Sequence, residues 1–109
     1  MRFLVLMYQD EKVWAGADEA LIAEYYRAHG AYADQAPAFD VTIEGGEALR
    51  SVTTATTLRE DAVWEGPFAE TAEQLGGYYL VDAPSVDVVV AHARLLPPYT
   101  VEVREIARM

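Results

Sequence analysis

Phe3, Val5 and Met7 alternate with Leu4, Leu6 and Tyr8, so the run from Arg2 to Tyr8 predicts a strand with two hydrophobic faces. Such a strand is covered on both sides and lies centrally in its sheet. Gln9-Asp10-Glu11 ends it in polar residues and puts Asp10 at the sheet's end. Asp18 is a good helix N-cap, with Glu19 in the first turn where a negative charge suits the dipole. Leu21, Tyr25, Ala28 and Tyr32 then recur at helical spacing, flanked by a second row of Ile22, Tyr26 and His29. The helix is expected to stop before Pro37.

Phe39 to Glu44 alternates like a strand, Gly45-Gly46 interrupts it, and Glu47-Ala48-Leu49 continues it past a bulge. The threonine-rich run Ser51 to Arg59 favours strand, Glu60-Asp61 turns the chain, and Ala62-Val63-Trp64 returns as a short partner. Gly66-Pro67 marks a tight turn after which Phe68 is expected to bury itself. Glu70, Glu73 and Gln74 would share one side of a short helical turn that Gly76-Gly77 ends. Tyr78 to Val81 reads as a buried strand. Ser85 opens a helix with Val86, Val89, Val90 and Ala93 on one face, although its valines also suit a strand. Tyr99 to Ile106 closes the pattern as a strand.

The order predicts an α+β fold, a ferredoxin-like βαββαβ sandwich with a small hairpin and turn inserted before the fourth main strand. Helices cover only one face of such a sheet, while its strands are apolar on both. A homodimer packing sheet against sheet would cover the second face.

At 109 residues the chain fits one domain, and 52% hydrophobic residues supply a core without staples. It has no cysteine, which excludes disulfides, thiolate metal sites and cysteine nucleophiles. The apolar run from Phe3 to Tyr8 is too short for a membrane helix or a signal core, so the expected setting is the cytoplasm. A net charge of −10, with its basic residues scattered, argues against nucleic acid. Neither glycine pair fits a phosphate-binding fingerprint.

The stretch Glu65-Gly66-Pro67-Phe68-Ala69-Glu70-Thr71, continuing through Glu73-Gln74-Leu75-Gly76-Gly77-Tyr78-Tyr79, resembles the signature of the DGPF-domain branch of the YCII-related family. Phe3 to Glu11, Thr54 to Arg59 and Val101 to Arg104 resemble that family as well. Glu65 stands where the branch has Asp, keeping the carboxylate one methylene further out. The resemblance implies a dimeric α/β barrel. It also implies a His–Asp pair in a cleft at the positions of His29 and Asp10, and a regulatory role for members encoded beside sigma factors.

A histidine beside a carboxylate can work as a general acid and base near neutral pH. The first functional expectation is thus a cofactor-free enzyme acting on a small organic molecule. His29 would work with Asp10, Glu65 or Glu70, in a pocket between the sheet and the first helix. Glu47, Tyr8, Tyr26, Pro67 and Phe68 would line that pocket. The plainer reading of His29 is an imidazole on the core's flank with one hydrogen bond. Glu47, Glu65, Glu70 and Glu73 could also bind a hard cation, and a His-plus-carboxylate pair another divalent metal; two histidines argue against zinc, and the expectation is no metal. Glu73 reads as a solvated acid of the turn, and His92 as structural or solvated. The alternative function is a non-catalytic module that binds a small molecule or has a regulatory role.

Overall fold

A computed structural model describes residues 1–109. Strand β1 (Arg2–Asp10) runs through the middle of a four-stranded antiparallel sheet, between β5 (Glu73–Asp82) and β6 (Thr100–Glu105). β2 (Thr42–Ala48) pairs with the outer side of β5, giving the order β2-β5-β1-β6. The strand order and the helical crossovers α2 (Glu19–Gln35) and α3 (Val86–Ala93) are consistent with a ferredoxin-like α+β fold. No helix is long and apolar enough to cross a membrane.

The two faces of β1 have different surroundings. Phe3, Val5 and Met7 are buried with Tyr32, Val81 and Val89 in a single core. Leu4, Leu6 and Tyr8 point the other way and are half-buried. Their cross-strand neighbours on that face include Leu80, Tyr78 and Glu102. The molecule is accordingly thin, 44 × 43 × 18 Å.

The helices begin where the polar residues dictate. Asp18 accepts a hydrogen bond from the Leu21 N–H at 2.8 Å, and Ser85 accepts from Val88 at 3.3 Å. α2 ends at Gln35 and passes through a 3₁₀ turn at Ala36–Phe39, where Pro37 donates no hydrogen bond. Asp10 also caps a helix. Its carboxylate accepts from the Lys12 N–H at 3.0 Å and starts α1 (Glu11–Ala15), which the hydrophobic pattern did not show.

Several expectations need correction. The residues expected to make a helical turn after Thr71 are strand from Glu73 onward, and Gly76-Gly77 lie inside β5: β1 pairs with Glu73 to Leu75, and β1 and β2 both pair with Gly77. Only Thr56–Arg59 (β3) and Ala62–Glu65 (β4) form the hairpin. It lies between β2 and β5, ahead of the third strand of the main sheet. Ser51 caps a 3₁₀ turn over Val52–Thr54 instead of extending the strand. Gly66 closes the hairpin with φ at 110°, a conformation a side chain would strain, and its N–H bonds the Ala55 carbonyl at 2.7 Å. Phe68 is 66% exposed under the Arg59 guanidinium instead of buried. In α3 the inward residues are Val89 and His92, one turn apart, while Val86 and Val90 stay exposed.

Candidate functional site

The helix-facing ends of β1 and β5 meet α2, α1 and the segment after β2 around a cavity of about 590 Å³. α2 lays Tyr25, Tyr26 and His29 along it, α1 brings Glu11 and Trp14, and β5 brings Tyr79. α1 is held by more than its cap. The Glu11 carboxylate accepts from the Ser51 hydroxyl at 2.9 Å and from the Val52 N–H at 3.0 Å, tying the helix to the connection after β2. Gln9 donates to the Tyr25 hydroxyl at 2.7 Å.

His29 lies at the cavity wall with both ring nitrogens taken by phenols. Nδ1 is 2.7 Å from the Tyr79 hydroxyl and Nε2 is 2.8 Å from that of Tyr99. Neutral imidazole has one N–H and one lone pair, so it donates to one tyrosine and accepts from the other. Burial lowers the His29 pKa and keeps the ring neutral at pH 7. Burial raises the Tyr79 hydroxyl. It also pushes Tyr99 up to about 12, with the nearby Tyr25 and Tyr79 hydroxyls adding to the effect. All three groups therefore rest uncharged.

A column of rings leads from this site into the core. Tyr79 stacks on Tyr32 with centroids 4.6 Å apart, and Tyr32 stacks on His92 at 3.8 Å. His92 is fully buried, which leaves the structural one of its two expected roles and rules out the solvated one. Its Nε2 donates to the Tyr32 carbonyl at 2.7 Å, leaving Nδ1 with only a lone pair. Neither that nitrogen nor the Tyr32 hydroxyl has a hydrogen-bond partner. Burial lowers the His92 pKa and raises that of Tyr32.

The model of one protein family, the YCII-related domain, matches residues 1–109. The chain belongs to the YCII-related family. It is also 36% identical over 102 residues to an uncharacterised protein of Rhizobium meliloti (strain 1021), covering 86% of this chain and 78% of that protein.

Within this YCII-related chain the residues singled out from the sequence separate into groups. His29, Glu47 and Tyr26 share the cavity. Asp10 does not meet His29, because its carboxylate is engaged at the start of α1 and both imidazole nitrogens face tyrosines. Tyr8 lies on the opposite face of β1, where its hydroxyl donates to Glu102 at 3.1 Å. Glu65, Pro67, Phe68 and Glu70 lie at the hairpin's end and do not line the cavity. Glu73 accepts from the Thr100 hydroxyl at 2.6 Å. No group of three or more His, Cys, Asp or Glu residues is placed to hold a metal ion. Sequence reasoning missed Tyr99 and Trp14. Tyr79 was visible only as a residue of the buried strand Tyr78 to Val81.

Proposed function

We propose that this YCII-related protein binds a small organic molecule in the tyrosine-lined cavity and moves a proton on it without a cofactor. The observation that carries the reading is His29 bridging Tyr79 and Tyr99 through both ring nitrogens. A base needs a lone pair, and the acceptor nitrogen of His29 already holds a phenolic proton. The substrate's proton therefore passes to that phenol oxygen as the phenol hands its own proton to His29. The phenol stays neutral throughout and the charge is carried by the imidazolium. The other tyrosine hydroxyl, kept protonated by burial, can donate to an oxygen on which negative charge develops. Asp10 takes no part in this relay; it supports the site by capping the helix that brings Trp14 and Glu11. Glu65 and Glu70 take no part either.

Proton abstraction leaves a trace that does not require knowing the product. Small ketones and lactones incubated with the protein in D₂O are expected to exchange the hydrogens next to their carbonyl, read by NMR. His29→Gln keeps hydrogen-bonding atoms but cannot be protonated, and it is expected to abolish exchange while retaining binding. Equal exchange in both proteins would overturn the reading. A non-catalytic sensor or regulatory module is the second reading, favoured by the fact that both His29 nitrogens are already satisfied. Binding that shifts the His29 signals with no exchange in any compound would select it.

The finer assignments are proposals of the same kind. The Glu65-Gly66-Pro67-Phe68 turn supports the DGPF-type branch, since Gly66 occupies the conformation that turn requires. A homodimer joined sheet to sheet as a dimeric α/β barrel is supported by surface area. The chain exposes 7536 Å², against roughly 6,000 Å² for a compact monomer of this mass. The radius of gyration is 15.3 Å, against about 13 Å. Light scattering is expected to give twice 12.1 kDa, and a monomer at high concentration would refute the dimer. A cytoplasmic setting is proposed with it, and the cysteine-free sequence is compatible with that setting.

A further inference from the structure

We propose that the cavity's ligand is an organic cation, an alkyl- or arylammonium, seated against the aromatic corner made by Trp14, Tyr25 and Tyr26. The assignment rests on the reading of this cavity as a small-molecule site and names the class of molecule it takes. Trp14 meets Tyr26 nearly edge-on, at 85° with centroids 6.5 Å apart, and lies 5.8 Å from Tyr25. Two of these rings are left to water, Trp14 at 44% and Tyr26 at 68% exposure, although each is large enough to anchor a core. Indole and phenol faces are electron-rich, and a corner of them attracts a cation more strongly than an equally bulky neutral group.

The charged groups of the wall point the same way. Glu11 and Glu47 line the cavity, and neither lysine nor arginine does. Lys12 and Arg50 are chain neighbours of lining residues, yet both stay outside it. Glu11 is held in place by Ser51 and Val52, so its carboxylate contributes a fixed negative field. The remaining polar lining, Gln9, Gln74, Ser51, the tyrosine hydroxyls and His29, whose pKa burial lowers, is neutral at pH 7. An anionic ligand would meet no lysine or arginine on the wall, and two carboxylates would oppose it. With 18 acidic against 8 basic residues, the molecule as a whole also draws cations.

The test uses the full chain carrying Trp64→Phe, which leaves Trp14 as its one tryptophan. Trp14 fluorescence and the His29 imidazole signals are followed while benzyltrimethylammonium, neutral 3-phenylpropan-1-ol or anionic 3-phenylpropanoate is added at physiological salt. The cation is expected to bind about tenfold tighter than the alcohol and the anion weaker than either. Trp14→Leu, read by the His29 signals, is expected to cost the cation about tenfold and the alcohol much less. Glu47→Gln is expected to weaken the cation several-fold and strengthen the anion. If the alcohol or the anion binds as tightly as the cation and moves His29, the cation class is wrong and the cavity still stands as a ligand site. Cation binding indifferent to Trp14→Leu would mean diffuse attraction and would overturn the assignment. If no probe moves Trp14 or His29, both the cation class and the small-molecule reading fall.

Discussion

Two adjacent glycines of β2 offer a matched test of how the sheet positions His29. A Cβ placed on Gly46 lies 2.7 Å from the Tyr78 carbonyl oxygen and 2.7 Å from Cδ1 of Tyr79, whereas a Cβ on Gly45 meets nothing within 4 Å. The Tyr78 carbonyl belongs to β5, which is paired on both sides, so that contact remains as backbone strain while the Tyr79 ring yields. Restoring ordinary contact at about 3.4 Å moves that ring by roughly 0.7 Å. Its hydroxyl, 2.7 Å from His29 Nδ1, then stands near the limit of a hydrogen bond. Gly46→Ala is expected to cost about 1–3 kcal/mol through overpacking. For a chain of this size that lowers the melting temperature by roughly 4–12 °C. Gly45→Ala is expected to stay level or gain about 0.5–1 kcal/mol from the stiffer unfolded chain. Thermal melts followed by circular dichroism measure the difference, and the His29 imidazole signals report the displaced hydroxyl. Equal melting temperatures for the two variants, with the His29 signals unmoved, would refute the reasoning.

Other substitutions probe separate parts of the structure. Gly66→Ala places a side chain at φ 110°, and a loss of about 1–3 kcal/mol is expected in urea titrations, with faster amide exchange across the hairpin; an unchanged midpoint would contradict the strain. Tyr32→Phe removes a buried hydroxyl that has no partner, so stability is expected to hold or rise by about 1 kcal/mol; a clear loss would show that the hydroxyl is bonded. Burial holds both histidines below their unfolded pKa of about 6.5, so their contribution is fully present above pH 6.5 and is lost as pH falls toward the lowered folded values. Urea midpoints are expected to drop from pH 7.5 to pH 5, and less steeply in His92→Phe, which leaves no imidazole to charge in the core; equal slopes would remove His92 as a source.

The main sheet and its two crossover helices were legible because their hydrophobic spacing is dictated by burial. β1 shows this best, with its alternating apolar faces and its place between β5 and β6. What escaped was set by contacts distant in sequence. α1 is five residues long and bears no buried residue, so it leaves no periodic signal and depends on its Asp10 cap and the Glu11 tie. Glu73 to Gly77 read as a turn because their strand character comes from pairing with β1, joined at Gly77 by β2. His29 was found from its place on the flank of the α2 stripe. Its partners were expected to be acids, because a carboxylate is the usual companion of a working imidazole. The phenols that hold it come from β5 and from just before β6, 50 and 70 residues away, and nothing local marks them. His92 was misplaced because the inward face of α3 was drawn through Val86, Val89, Val90 and Ala93, whereas Val86 and Val90 are exposed and the face turns from Val89 to His92.

The column of rings makes the alignment of His29 a property of the interior. Tyr79 is braced from behind by Tyr32, and Tyr32 by His92, so the hydroxyl that faces His29 is positioned by a stack whose far end no ligand touches. A substitution at the base of that stack, at Phe39 beside His92 or at Val89, would loosen the backing of the site before it unfolds the protein. Stability and site alignment are thereby yoked. Variation that repacks this interior must be compensated locally.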